Sequence, residues 1–291
     1  MDLGQKRRGV DMGPTAMRIA GIVERLSGLG HDVSDMGNIQ GPDRSTAKLG
    51  RENLRYLDEV LRICGLIADR VSDCVSKRMF PLVLGGDQTV SIGTLAGLAE
   101  HGTKRGIIWI DAHADFNTEK STPSGNVHGM ALSAILGYGT PRLSRFRRIC
   151  PKAVEENTVI IGCRSIDEME QDMLSESRVT VYTMKEVDEL GIGRVIDDAV
   201  QIASKGVKNV HVSFDIDVLD PREASGTGTP VPGGLTYREA HLVMEDLYEC
   251  GIVSSAELVE VNPILDRGNH TAEIAVELLE SLMGKRIYRK R

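Results

Sequence analysis

The sequence predicts an α/β protein whose parallel sheet is covered by helices on both faces. Short apolar runs alternate with helical patterns from one end to the other. Such alternation implies a parallel sheet packed against its own crossover helices. Three runs, Phe80–Leu84, Gly106–Ile110 and Val159–Ile161, are continuously apolar apart from a glycine or proline, as expected of strands buried on both faces. No Pro/Gly/Ser-rich linker, low-complexity tract or internal repeat divides the 291 residues. A single domain over 1–291 is the simplest account of a chain this long.

The elements follow in order. Leu54, Leu57, Leu61, Cys64, Ala68, Val71 and Val75 recur every three or four residues, which marks one buried stripe of a helix. The strand ending at Leu84 runs into Gly85-Gly86-Asp87-Gln88-Thr89, where glycines permit a tight turn into the next helix. Strands over Gly106–Ile110 and Val159–Ile161 come next. Val179–Tyr182 and Val210–Phe214 alternate more strongly, so one face of each is expected to be less buried. Leu242, Met244 and Leu247, then Ala275, Leu278, Leu279 and Leu282, mark two later helices.

Composition excludes several classes of function. The chain carries 35 basic and 42 acidic residues, net −7, and only 4% aromatics, with no basic run interleaved with aromatics. A nucleic-acid surface is not expected from that balance. No apolar run approaches the ~20 residues that a membrane-spanning helix needs. The five cysteines are odd in number and form no CxxC pair, so they read as buried reduced thiols rather than a disulfide framework or zinc knuckle. The opening MDLGQKRRG has no apolar signal-peptide core. A soluble cytoplasmic protein is expected, with neither nucleic acid nor membrane as a partner.

In open parallel sheets, sites form at the carboxyl ends of strands, and the unusual polar residues lie there. Asp111, His113 and Asp115 follow the strand Gly106–Ile110. They share a face if the chain stays extended. Asp215 and Asp217 follow the strand Val210–Phe214. One DxD pair at a strand end is usually a cap or a solvated turn. Two such motifs, each after a buried strand, favour a metal site, because clustered carboxylates repel unless a cation neutralises them. Mainly oxygen donors with one imidazole suit Mn²⁺ better than structural zinc. Asp111 and Asp215 could bridge two ions, an arrangement that generates hydroxide at neutral pH. His128 lies in the polar loop Ser124–Gly129, and Glu260 ends the run Ala256–Glu260. A carboxylate at a strand terminus can pair bidentately with a guanidinium group.

The ordered motifs GGDQT, DAHADFNT, SGNVHGM, SFDIDVLDP, GTGTPVPGG and VEVNP resemble the ureohydrolase family, in its bacterial arginase branch, as do MDLGQKRRGVDMGP and GCRSIDEME. The resemblance spans nearly the whole chain. It implies a three-layer α/β/α fold with a mainly parallel central sheet, and hydrolysis of L-arginine to L-ornithine and urea with two Mn²⁺ per chain. It implies a homo-oligomer, a trimer or hexamer. By the same resemblance Asp111, His113, Asp115, Asp215 and Asp217 are metal ligands, His113 also lines the substrate, and Asp115, His128 and Glu260 are catalytic. His128 is implied as proton shuttle or general acid and Glu260 as the guanidinium partner. Asn117, Ser124 and Asn126 hold the α-carboxylate, Asp167 and Glu170 receive the α-amino group, and Thr229 lies at the guanidinium end.

Three positions depart from the family pattern. Gln88 stands where the family carries a histidine ligand, and an amide oxygen is a poorer donor than imidazole. Val218 replaces the usual glycine of DxDGLDP, where a β-branched residue is disfavoured if φ must be positive. The apolar strand that family members carry ahead of the segment matching Met1–Gln5 is lacking, which is expected to leave backbone groups at a sheet edge unpaired. Two other readings follow: an agmatinase or other ureohydrolase, or a metal-impaired arginase-like protein with a non-catalytic role.

Overall fold

Strands joined by helical crossovers pair in parallel. In the computed structural model, which describes residues 1–288, they form one sheet. Its strands are β1 (Leu82–Leu84), β2 (Arg105–Ile110), β3 (Thr158–Cys163), β4 (Thr180–Thr183), β5 (Asn209–Asp215) and β6 (Val253–Val259). They lie in the spatial order β1-β6-β5-β2-β3-β4, every neighbouring pair parallel. The principal helices are α1 (Leu57–Ser76), α2 (Val90–Ala99), α3 (Glu168–Glu176), α4 (Ile192–Ala203), α5 (Tyr237–Glu249) and α6 (His270–Leu282). Among the described residues no helix is long and apolar enough to cross a membrane.

The alternation of side chains along each strand divides the core into two halves. Ile108, Ile110, Val159, Ile161, Val212 and Phe214 pack against α4, α5 and α6. Ile107, Trp109 and Ile160 pack on the other face against α1 and α2. The result is the expected three-layer α/β/α arrangement. In α1 the buried stripe runs Leu57, Val60, Ile63, Cys64, Ile67, Ala68 and Val71. It is broader than the spacing predicts, with Leu61 and Val75 half-buried at its margins.

Four expectations need correction. Residues 80 and 81 lie outside β1: Phe80 is exposed, and Pro81, which has no N–H, contributes only its carbonyl to Ala256. The alternating strand β5 is not half-exposed, being buried from Val210 to Asp215. It is central, and its polar side chains find buried partners. His211 Nδ1 lies 3.0 Å from Ser255 Oγ, and Ser213 Oγ accepts from Gln88 Nε2 at 2.9 Å. The cysteines are all free, but only Cys64 and Cys163 are buried, and burial pushes those two thiols up. Edge strand β4 is half-buried at all four residues, so neither of its faces is more exposed than the other, unlike the expectation from its alternation.

β1 is the other edge of the sheet. Its side away from β6 faces residues 31–43, which have no regular secondary structure, across a cavity of about 830 Å³ lined by Val33, Ile63, Ile67, Leu82 and Leu84. The amino-terminal residues still reach the sheet. Met1 O accepts from Asp87 N–H at 2.9 Å, Asp87 Oδ2 accepts from Gly4 N–H at 2.7 Å, and Gly4 O accepts from His128 N–H at 3.2 Å. Gly86 makes this close approach possible, since a Cβ there would sit 2.0 Å from Met1 O. Gly86→Ala is therefore expected to displace residues 1–5 and lower stability by about 1–3 kcal/mol, read as a reduced midpoint of urea unfolding. An unchanged midpoint would show that this packing contributes nothing.

Candidate metal centre and substrate site

The strand order brings distant motifs together. Gln88 follows β1, Glu260 follows β6, Asp215 closes β5 and Asp111 follows β2, and these four strands are consecutive in space. The polar ends of the four therefore line one crevice at the carboxyl edge of the sheet.

Donor atoms of Asp111, His113 and Asp217 lie within 4.8 Å of one another. His113 Nδ1 is 3.2 Å from Asp217 Oδ2 and 3.5 Å from Asp111 Oδ1. Each carboxylate is also held from outside. Asp111 Oδ2 accepts from the Trp109 indole at 3.1 Å. Asp217 accepts from Ala112 N–H at 3.3 Å and from Thr229 Oγ1 at 2.8 Å. Asp215 Oδ1 accepts from Asp217 N–H at 2.8 Å. Asp115 joins by a different route from the one the spacing suggests. The chain does not stay extended, because Asp115 adopts φ +50°. Its carbonyl accepts from Leu132 and Ser133 N–H at 3.1 and 3.3 Å, which holds that turn. Val218 closes a short 3₁₀ turn, Ile216–Val218, and is not among the positive-φ residues, so its β-branch is accommodated.

The electrostatics are those of a site built for a cation. Burial, with Asp217 nearby, pushes Asp111 up to about 7. Burial and neighbouring carboxylates raise Asp115 and Asp215 well above the usual range. Burial acts against the charge of His113, but Asp217 and Asp111 outweigh it and hold the imidazole up at about 12. Asp217 goes the other way, to about 2, because His113 and Thr229 overcome its burial. Asp115 Oδ2 and Gln88 Oε1 are buried with no hydrogen-bond partner among the described residues. Crowded carboxylates, orphaned oxygens and one imidazole fit a divalent metal ion.

Glu260 lies beside this cluster, fully buried, with φ +65°. Its Oε1 accepts from Gln88 N–H at 3.0 Å and faces His128 Nδ1 at 3.2 Å, and its Oε2 accepts from Gln5 Nε2. Burial lowers His128, but Glu260 more than compensates and raises it. With Nδ1 engaged, Nε2 is the free ring nitrogen. Left-handed backbone at a non-glycine residue costs about 1–3 kcal/mol and persists only where the surroundings hold it. Asp115 and Glu260 are both residues of this kind.

At the rim, Asn117 Nδ2 donates to Asp167 Oδ2 at 2.9 Å. Asp167 caps α3 and is exposed. Glu170 is buried, with both oxygens engaged internally, by Phe116 N–H at 2.6 Å and Asp167 N–H at 3.2 Å. Ser124 and Asn126 lie on the loop leading to His128, where Asn126 N–H donates to Ser124 Oγ at 3.1 Å. Sequence reasoning missed several supporting residues. Gln5 braces Glu260 from a segment with no local signal. Asp87 anchors Gly4 and could have been singled out in GGDQT. Arg164 donates to the carbonyls of Asp217, Val218 and Val231 at 2.9, 3.1 and 2.7 Å, joining two site loops. Its place just after β3 was the available hint.

The chain belongs to the arginase family, whose model matches residues 1–284. It is similar to the arginase of Bacillus caldovelox, at 50% identity over 288 residues, covering 99% of this chain and 96% of that protein. It is equally similar to the arginase of Bacillus subtilis (strain 168), at 50% identity over 287 residues, with the same coverage. Among solved structures, the native B. caldovelox arginase at pH 5.6 superposes with a TM-score of 0.96 at 50% identity, covering 99% of this chain and 97% of that one. The Bacillus cereus arginase does so with a TM-score of 0.94 at 48% identity and the same coverage.

A cation that binds only the folded state stabilises it in proportion to the logarithm of its concentration, by about 2.7 kcal/mol at a hundredfold excess over Kd. Adding Mn²⁺ to metal-free protein is expected to raise Tm in this manner, and Asp111→Asn is expected to abolish most of the rise. A Tm indifferent to Mn²⁺ would exclude a metal site here.

Proposed function

We propose that this protein is an arginase, hydrolysing L-arginine to L-ornithine and urea with Mn²⁺. The observation that carries the reading is the juxtaposition of a fully buried Glu260, braced on both oxygens, with His128 and the carboxylate cluster. Asp111, His113, Asp115, Asp215 and Asp217, with Gln88, would hold two ions. When bound, such a pair activates water as a nucleophile at neutral pH and acts as a Lewis acid.

The chain's own residues do the rest. The Glu260 carboxylate binds the guanidinium and, with Thr229 at that end, aims its carbon at the attacking water. Asp115 Oδ2, free of internal partners, accepts a hydrogen bond from that water. As the carbon–nitrogen bond to the side-chain nitrogen breaks, His128 Nε2 delivers a proton to the departing amine, which leaves as the δ-amino group of ornithine. Asn117, Ser124 and Asn126 bind the α-carboxylate. Asp167 receives the α-ammonium, and Glu170 positions Asp167 and Phe116. A single catalytic domain over 1–291, a cytoplasmic location and a trimeric or hexameric assembly belong to the same reading and are supported by the family resemblance.

Urea release from L-arginine and from agmatine, with and without Mn²⁺, tests the activity. Release from arginine that depends on Mn²⁺ is expected. Asp111→Ala and Asp215→Ala are each expected to lose metal binding and turnover together, and two tightly bound ions in either variant would defeat the bridging assignment.

Agmatine lacks the α-carboxylate. Ser124→Ala and Asn126→Ala are therefore expected to raise KM for arginine more than for agmatine, because they hold a group of the substrate that does not react and that agmatine lacks. Equal changes for both substrates would assign these residues to the fold alone.

A further inference from the structure

Arg164 follows β3 and lies half-buried beside Asp217. Among the described residues no carboxylate pairs directly with its guanidinium. The donors go to backbone carbonyls instead. Nη2 donates to Asp217 O at 2.9 Å, Leu219 O at 3.3 Å and Val231 O at 2.7 Å. Nη1 donates to Val218 O at 3.1 Å and Gly162 O at 3.3 Å, and Nε to Val231 O at 3.2 Å and Pro232 O at 3.3 Å. A planar fork of fixed donors spans several carbonyls at once, which an ammonium group cannot. A positive charge fixed beside a cation position opposes the cation by Coulomb's law. What Arg164 contributes there is therefore geometry and not charge.

The carbonyls it binds are those that place Asp217. The turn Ile216–Val218 is too short to satisfy its own last carbonyls, and Arg164 takes those of Asp217, Val218 and Leu219. Asp217 Oδ2 accepts from Thr229 Oγ1 at 2.8 Å. Thr229 is joined to Val231 through Pro230, and Pro232 follows. Proline fixes φ, so this segment is stiff, and holding the Val231 carbonyl holds Thr229 as well. Asp217 Oδ1 accepts from Ala112 N–H at 3.3 Å, and the Ala112 carbonyl accepts from Arg164 N–H at 2.9 Å. Residue 164 thus fixes the backbone of Asp217 and both segments whose donors grip its carboxylate. It has no part in the hydrolysis described above.

We infer that Arg164 is a positioning residue for Asp217, setting the Thr229 hydroxyl against the Asp217 carboxylate, and that it thereby governs the affinity of the cation position that Asp217 shares with His113. The inference rests on the metal centre proposed above. His113 Nδ1 lies 3.2 Å from Asp217 Oδ2, so a displaced carboxylate separates the two donors that must meet one ion.

The test is calorimetric titration of the metal-free full-length protein with Mn²⁺. The parent is expected to bind two ions per chain. Arg164→Lys keeps the charge and loses the fork, and Arg164→Gln loses both. Each should weaken one position by about 10–100-fold, the usual effect of removing a group that orients a ligand. That position should be the one that Asp217→Asn removes, and the other should be unchanged. Thr229→Val should weaken the same position, and its effect should combine with that of Arg164→Lys to less than the sum of the two, because both act on one carboxylate. A merely structural role would lower Tm of the metal-free protein and leave both Mn²⁺ affinities as they are. Tighter binding in Arg164→Gln would show that charge outweighs geometry and would overturn the inference. Unchanged affinities, equal weakening of both positions, or full additivity with Thr229→Val would overturn it too. If neither Arg164 variant folds, Gly234→Ala decides: a Cβ there would lie 2.6 Å from Arg164 Nη2, displacing the guanidinium from outside, and the same selective weakening is expected. Failure of the parent to release urea while these metal effects hold would refute the proposed function and leave the inference standing. Urea release by the parent without selective weakening in the variants would do the reverse.

Discussion

Carboxylates that repel one another must be held together before a cation arrives, and the rest of the structure depends on how this is done. Asp111, Asp115, Asp215 and Asp217 are all buried, and desolvation disfavours the charge on each. The parallel sheet supplies the constraint. It fixes the ends of β2 and β5 side by side, so the two acidic motifs cannot separate without breaking the ladder from Arg105–Asn209 to Ile110–Phe214. Donors then tie down the individual oxygens: the Trp109 indole, the Ala112 and Asp217 amides and the Thr229 hydroxyl. His113 Nδ1 lies between two of the carboxylates, 3.2 Å from Asp217 and 3.5 Å from Asp111. Arg164 binds carbonyls of the loop after β5 from outside the cluster.

The same scaffold maintains strain. Asp115 and Glu260 keep left-handed backbones because the groups around them leave no relaxed alternative. The carbonyl of Asp115 is fixed by two helical amides, and both oxygens of Glu260 are occupied. The amino-terminal residues belong to this machinery. Met1 and Gly4 bond Asp87, and Gln5 reaches Glu260, so a segment remote in sequence forms one wall beside Glu260. The open β1 edge lies next to it, which places the least regular part of the sheet close to the most constrained side chains.

Much of the candidate site was legible because its chemistry is local. DAHAD and DID each follow an apolar run, and the two motifs together mark a site where either alone would read as a cap or a solvated turn. Other features were not legible, because they depend on what lies across the sheet. His211 and Ser213 made β5 look half-exposed, whereas Ser255, Glu257 and Gln88 supply buried partners from β6 and from the turn after β1. Glu170 sits one helical turn into α3, yet both its oxygens are engaged by backbone amides. That sets it apart from Asp167, which is exposed.

By itself the sequence determined the alternation of buried strands and helices, the parallel sheet and the motifs at the strand ends. These follow from periodicity and residue type, which act over a few residues. Only the tertiary structure decided that Asp115 enters the cluster through a left-handed turn, that Gln5 and Gln88 brace Glu260, and that the Gln88 nitrogen faces Ser91 and Ser213 while its oxygen has no partner among the described residues. Those outcomes depend on strand order and on the partners available to buried polar atoms. Strand order is set by packing among segments far apart in the chain, and no local pattern encodes it.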